Sequence, residues 1–363
     1  MMFHNHFQMP YTPASLDSLP DRPLRKIFNH CGLKEKENLK RTSSSLRLFH
    51  AKHQFDHELT HVMVHAKSAN QIYVRLQTPD EVFDITYMQG AGNICSVKHK
   101  GGIRTIKRED MATTAGYDLG LILQNQQSRI EELTLAFKEE CQTTICEQFV
   151  DHFMHGLDDH NHRRHVKLKA EQFRYSGIIN ETPILKVLDK LQPETLTRIW
   201  LNDESDQRFH PIERIMNSDH WKETWEVYLN GFVVRNSLKN FYHIPMGRFD
   251  IESVSTHELM ELRAAALKLI IFEILQFTIL AIRDQRRFLT LFGKPKKTEG
   301  NTQIWYFRYK KKTSDNLRSM LRVRFIDKKT FVFQRFTEDQ YELIEMEKTE
   351  MDKILSTPNK FKI

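Results

Sequence analysis

The feature that most constrains this chain is a recurrence in its middle third. "RIEELTLAF", "HVKLKAEQF", "LTRIWLN" and "WEVYLNG" alternate apolar with polar residues, and stretches with helical spacing separate them. The strand centres fall near Leu135, Leu168, Trp200 and Tyr228, with separations of 33, 32 and 28 residues. Two parallel neighbours need a crossover of a dozen or more residues, usually a helix. The spacing therefore predicts parallel strands with helices over at least one face.

One strand and one helix per unit, stacked in order, is also how leucine-rich repeats build a horseshoe, with a period of ~20–29 residues. The units here are longer and less regular, so the fold class is read as α/β with an LRR-like α/β layer at its centre. An ordinary α/β domain with right-handed crossovers shares the same local pattern. Within the layer, "TPILKVLDKL" reads as a helix capped by Thr182 with Pro183 at its first position, and "HPIERIMNSDHWK" as one helix. A long helix is expected over 254–271, starting near Ser253 or Ser255, followed by the strand "FTILAI" and the helix "DQRRFLTLF".

The flanks have other periods. Residues 1–15 are His-rich and expected to be disordered. Over 16–50, Leu24, Ile27, Phe28 and Cys31 recur at helical spacing behind Pro20 and Pro23, and a second short helix carries Leu39, Leu46, Leu48 and Phe49. A hairpin of about 30 residues is too small to bury a core alone, so a partner surface is expected. Over 51–110, "THVMVHA", "QIYVRLQ", "EVFDITY" and "NICSVKH" read as a small antiparallel sheet linking this unit to the layer. The body of the chain runs from 111 to 340 and closes with three terminal antiparallel strands, "IWYFRYK", "LRVRFID" and "TFVFQRF"; 341–363 is a charged tail.

Composition narrows the setting. Four cysteines in 363 residues, with no CxxC pair, fit a reducing compartment, and no apolar leader opens the sequence. The cytoplasm or the nucleus is the expected location. The stretch 264–282 is apolar but carries Lys268, Glu273 and Gln276, which are costly in a bilayer, so it reads as a buried helix and strand rather than a membrane span. Net charge is +7, and lysines cluster at Lys294, Lys296 and Lys297 and at Lys310, Lys311 and Lys312. Acidic residues are spread throughout and no basic face is evident, so nucleic acid is not an expected partner.

One motif invites a catalytic reading. His57-Glu58-Leu59-Thr60-His61 is HExxH, which on a helix gives two zinc ligands and a general base, and Glu81 stands where a third ligand would be sought. The residues after His61 alternate like a strand, on which i and i+4 side chains lie ~13 Å apart, too far to share an ion. His152, His155, His160, His162 and His165 form a second cluster in a helix-to-loop stretch. Gly90 and Gly92 lack the third glycine of a dinucleotide loop, and there is no GxSxG or P-loop. Cys141 and Cys146 read as helix packing positions. No enzyme activity, metal or cofactor is expected.

The segment 18–49 resembles an F-box. Leu19, Pro20, Leu24, Ile27, Phe28, Leu39 and Leu46 match its pattern, with Cys31 in place of a leucine and Leu46 where many F-boxes carry tryptophan. The rest resembles the F-box-associated FTH domain of the nematode F-box A proteins, through "DITY", "YDLGLIL", "ILKVLDKLQPETLTRIWL", "SDHWKETWEVYLNG", "STHELMELRAAAL" and "IWYFRY". This resemblance implies a substrate-recognition adaptor of a Skp–cullin–F-box ubiquitin ligase. The seven F-box residues would dock a Skp-type adaptor and through it a cullin. The C-terminal domain would hold a protein substrate, with the 152–165 and 203–209 loops as candidate contacts.

Overall fold

The structure is a computed structural model. It describes residues 15–337 apart from 54, 93, 101, 108, 139–142, 159–166, 206–208 and 310–318. The readings made for residues 1–14, Cys141, His160, His162, His165, the 310–312 lysines and the charged tail lie outside the described residues.

Three helices, rather than two, open the described chain: α1 (Asp21–His30), α2 (Leu33–Thr42) and α3 (Ser44–His53). The expected second helix is split at Ser43, whose hydroxyl accepts from the Ser45 amide. A serine bonding the backbone just ahead of it favours a cap over helix continuation. Leu24, Phe28, Leu46, Phe49 and Phe55 form a small core of their own, with Leu16, Leu19 and Leu39 packed against it.

Five strands follow: β1 (His61–Ser68), β2 (Gln71–Gln77), β3 (Val82–Gly90), β4 (Ile94–His99) and β5 (Gly102–Lys107). Each is antiparallel to the one before. The expected four strands are present, and β5 is additional. Next come α4 (Met111–Leu123), β6 (Ile130–Phe137), α5 (Thr143–Leu157), β7 (Ala170–Gly177), α6 (Glu181–Leu188), β8 (Arg198–Asp203) and the two-residue β9 (Phe209–His210). The chain continues through α7 (Glu213–Met216), α8 (Asp219–Glu223), β10 (Glu226–Val234), β11 (Met246–Val254), α9 (Thr256–Lys268), β12 (Ile274–Ile282) and α10 (Gln285–Phe292). It ends in β13 (Lys297–Glu299), β14 (Thr302–Arg308), β15 (Ser319–Ile326) and β16 (Thr330–Thr337).

All these strands belong to one 16-stranded sheet. Its centre is β1, β6, β7, β8, β10, β11 and β12, side by side in chain order and parallel throughout. A doubly wound sheet reverses its strand order at a switch point. This one does not, so the layer grows in one direction, as in a solenoid. Antiparallel meanders close both flanks: β2 to β5 beside β1, and β16, β15, β14 and β13 beside β12. β1 therefore belongs to two systems, pairing antiparallel with β2 and parallel with β6.

Several local readings change. β7 starts at Ala170, and Leu168 lies outside it in an isolated bridge to Leu191. The cap of α6 is Asn180, whose side chain accepts from the Thr182 amide, so Thr182 lies inside the helix and Pro183 is its third residue. The "HPIERIMNSDHWK" helix is broken in two at Asn217, because Ser218 caps α8 by accepting from the Trp221 amide. β11 is additional to the expected strands, and alternates Arg248 and Asp250 with buried Phe249 and Ile251. Ser255 caps α9 with a reciprocal Glu258 contact, a capping box. Over 264–282 the chain is the end of α9 followed by β12, and no helix among the described residues is long and apolar enough to cross a membrane.

The core lies between the sheet and its helices. Val62, Val64, Leu133, Leu135, Phe173 and Tyr175 are buried on one sheet face, in one cluster with Ala115, Leu119, Phe149, Phe153, Ile184 and Leu262 of the helices. α4 and α5 touch backbone to backbone: a Cβ added to Gly120 would stand 2.5 Å from the Phe153 oxygen and 2.7 Å from the Gly156 Cα. Gly156 in turn faces the Tyr117 oxygen at 2.5 Å from its own would-be Cβ. Gly120→Val therefore forces the helices apart. The expected loss is about 1–3 kcal/mol or more, read as a lower urea midpoint at unchanged slope. An unchanged midpoint would show that this close approach is dispensable.

Candidate functional site

In the helical unit, Leu24, Phe28 and Leu46 turn inward. The Phe28 ring stacks on Phe55 at 4.8 Å and lies 5.6 Å from Phe49. These three matched residues hold the unit together. Leu19, Ile27 and Leu39 are half-buried and Pro20 is exposed, so these four reach the surface. Leu48, read in the sequence as part of the same apolar run, is 71% exposed.

Two histidines are buried here, His50 on α3 and His57 in the segment that follows it. His50 packs on Phe28 and Phe55, and its ring lies 6.0 Å from that of His57. Burial, with Lys40 and Lys36 nearby, lowers the His50 pKa to about 4. Burial, then the His50, Lys40 and Lys36 charges, lowers that of His57 to about 3 against a weak opposing pull from Asp56. Among the described residues neither His50 Nε2 nor His57 Nδ1 has a hydrogen-bond partner.

The joint to the sheet is dense with polar contacts. Lys36 Nζ donates to the Asp56 carbonyl oxygen at 2.7 Å. The Asp56 carboxylate accepts from the amides of Glu58, Gln127 and Ser128. Gln126 bonds both the amide and the carbonyl of Leu59. A cleft of about 250 Å³ lies between the unit and the sheet, lined by residues that include Cys31, Lys36, His57 and Glu81.

This joint contains the HExxH segment. Residues 55–60 are not helical, Glu58 has a positive φ of 54°, and His61 is the first residue of β1. The two histidines share no helical face. Val62 and Val64 turn inward and His61, Met63 and His65 lie on the other side, as the alternation indicated. His152 and His155 do lie on α5, the latter beside Tyr117. Cys146 is buried in the core near the Tyr175 hydroxyl, at 3.5 Å.

The sequence did not suggest the contact of Ser205, His210 and Asp203. Both Ser205 Oγ (3.3 Å) and Asp203 Oδ2 (3.0 Å) meet the same nitrogen, His210 Nε2. A hydrolytic triad needs the imidazole to bridge base and nucleophile through different nitrogens. Here the buried pair ties β9 to the end of β8.

The second surface is the face of the sheet opposite the core, away from the described helices α4 to α10. Strand register places its side chains in rows. One row crosses β15, β16, β12 and β11 as Arg324, Val332, Gln276 and Arg248. It continues through Tyr228, Trp200 and Arg174, then Thr134, Met63 and Arg75. The Trp200 and Tyr228 rings are 4.6 Å apart, and the Arg174 guanidinium sits 4.2 Å over Trp200. Arg174 also pairs with Glu132, and Arg75 with Asp84. Sequence reading looked for a binding face in loops. The usable signal was the polar or amphipathic member of each alternating pair, which a strand buried on both faces would not carry.

Fold and surfaces together define a solenoid-like α/β protein with a helical unit fixed beside the starts of β1 and β6. Residues 151–296 match the family model of the FTH domain, an F-box-associated family. The match runs from within α5 to the loop before β13, and so takes in five of the seven parallel strands. No curated protein and no solved structure matches the chain.

Proposed function

We propose that this chain is a substrate-recognition adaptor of a Skp–cullin–F-box ubiquitin ligase. The observation that carries the reading is the FTH match placed behind a separate three-helix unit whose apolar residues fit the F-box pattern. The helical unit docks a Skp-type adaptor, and through it a cullin, using the residues that reach its surface: Leu19, Pro20, Ile27 and Leu39. Leu24, Phe28 and Leu46 serve the same contact indirectly, by fixing the helices. The sheet domain holds a protein substrate, and ubiquitin transfer is left to other subunits. The polar joint around Asp56 suits such a role, because an adaptor has to hold its substrate at a set position.

The test is co-purification with a Skp-type protein. Pro20→Asp with Ile27→Asp, at two positions outside the small core, should weaken binding by about 2 kcal/mol or more, roughly thirtyfold, while circular dichroism stays unchanged. Phe28 is unsuitable for this test because its loss would unfold the unit. Full retention of binding by the double variant would remove the F-box reading. The chain would then stand as a protein-binding module working outside a ligase, and the absence of cullin from a pull-down would mark that case.

A further inference from the structure

The row on the face opposite the described helices has an unexplained charge pattern. Arginines occupy every third strand along it: Arg324, Arg248, Arg174 and Arg75. The last two have carboxylate partners. Among the described residues no carboxylate is within ion-pair distance of Arg324 or Arg248, nor of Arg322 in the adjoining row. Arg322 donates to Gln334 instead, and the Nε atoms of Arg322 and Arg324 are buried with no acceptor among the described residues. Burial and the neighbouring Arg322 charge both lower the Arg324 pKa, as expected for cations held together without an anion. Trp200 Nε1, on the same face, is likewise buried without an acceptor among the described residues. One end of the face thus carries Arg248 exposed and Arg322 and Arg324 half-buried, with no carboxylate within ion-pair distance among the described residues, beside an aromatic pair.

We propose that this row binds an acidic, extended segment of a partner protein, with carboxylates at Arg324 and Arg248 and an adjoining apolar side chain on Tyr228 and Trp200. This rests on the reading of the sheet domain as a substrate-holding surface and names the class of substrate. Three strand spacings separate the two free arginines, about 14 Å, which an extended peptide covers in about four residues. Guanidinium groups take carboxylates through paired N–H donors, so the contact selects acidic over amide side chains. The aromatic pair adds contact area at low entropic cost.

The experiment uses the full chain and a fluorescein-labelled peptide with two glutamates four residues apart followed by a leucine. A glutamine peptide and a lysine peptide of the same pattern are the comparisons. Anisotropy should show binding of the glutamate peptide alone, weakening as salt rises from about 0.05 to about 0.3 M. Arg248→Glu with Arg324→Glu should weaken it about tenfold or more. Arg286→Glu with Arg287→Glu, the same charge change on α10, should leave it within about twofold. If Arg324→Glu impairs folding, Arg248→Glu alone, at an exposed position, gives the reading. No binding of the glutamate peptide overturns the proposal, and equal loss in both pairs reduces it to net charge and overturns it as well. No ligase subunit is present, so failure here leaves the adaptor reading to its own test.

Discussion

Replacing Phe277 with alanine is expected to cost about 3–5 kcal/mol, near the top of the range for single core truncations. The residue stands on β12, where the sheet changes from parallel pairing with β11 to antiparallel pairing with β16. Its ring lies 5.4 Å from Phe249 on one side and 5.5 and 5.9 Å from Phe331 and Phe333 on the other. The stack continues outward, with Phe249 on Phe241 at 3.7 Å and Phe331 on Phe325 at 4.2 Å. Removing the central ring leaves a cavity between two rigid groups of aromatics, which cannot collapse easily. Urea unfolding should show the lost stability. Hydrogen exchange should quicken in β15 and β16 more than in β6 and β7. A loss below about 1 kcal/mol, or uniform exchange, would mean that the two parts of the sheet are joined elsewhere.

Acidification should loosen the helical unit well before the carboxylates titrate. His50 and His57 have pKa values near 4 and 3 in the folded chain, against 6.5 as the ordinary value. Between those limits the unfolded chain takes up protons that the folded one refuses. Stability is therefore full above about pH 6.5 and falls as pH drops, by up to about 1.4 kcal/mol per pH unit for each histidine. By pH 5 the loss should reach a few kcal/mol, and the decline flattens only below the folded pKa values. The measurement is the unfolding midpoint of the helical unit between pH 7 and 5, followed by α-helical circular dichroism. His50→Phe with His57→Phe keeps rings in the aromatic cluster and should flatten the profile. A profile equally steep in that variant would assign the effect to other groups.

Much of the architecture was readable because apolar spacing decides it. "RIEELTLAF" buries Leu133, Leu135 and Phe137 as its alternation requires, and the terminal strands are where their aromatics place them. What escaped is informative. The repeat looked regular because Leu168 was counted as a strand centre, yet the strand begins two residues later. Ser43 and Ser218 split helices whose apolar spacing ran on unbroken, since a hydroxyl bonding the backbone leaves the hydrophobic pattern intact. Of the seven F-box positions, the pattern identified apolar residues but not which of them face outward. Leu24 and Phe28 differ from Ile27 only by the side of α1 they occupy. The arginine row was hidden for a different reason: its members are far apart in sequence and become neighbours only through strand register.

The two flanking meanders have a further consequence. A stack of parallel strands ending bare would offer each copy's last strand to another copy's first, and such chains could add end to end. Here that continuation is closed on both sides by antiparallel strands. The outermost edges left over are poor templates: β13 is three residues long and carries Lys297 and Glu299, and β5 is six residues long and carries Arg104. Short, charged edges resist strand addition. The protein can thus present a broad row-patterned surface without inviting its own copies to assemble on it as a fibre.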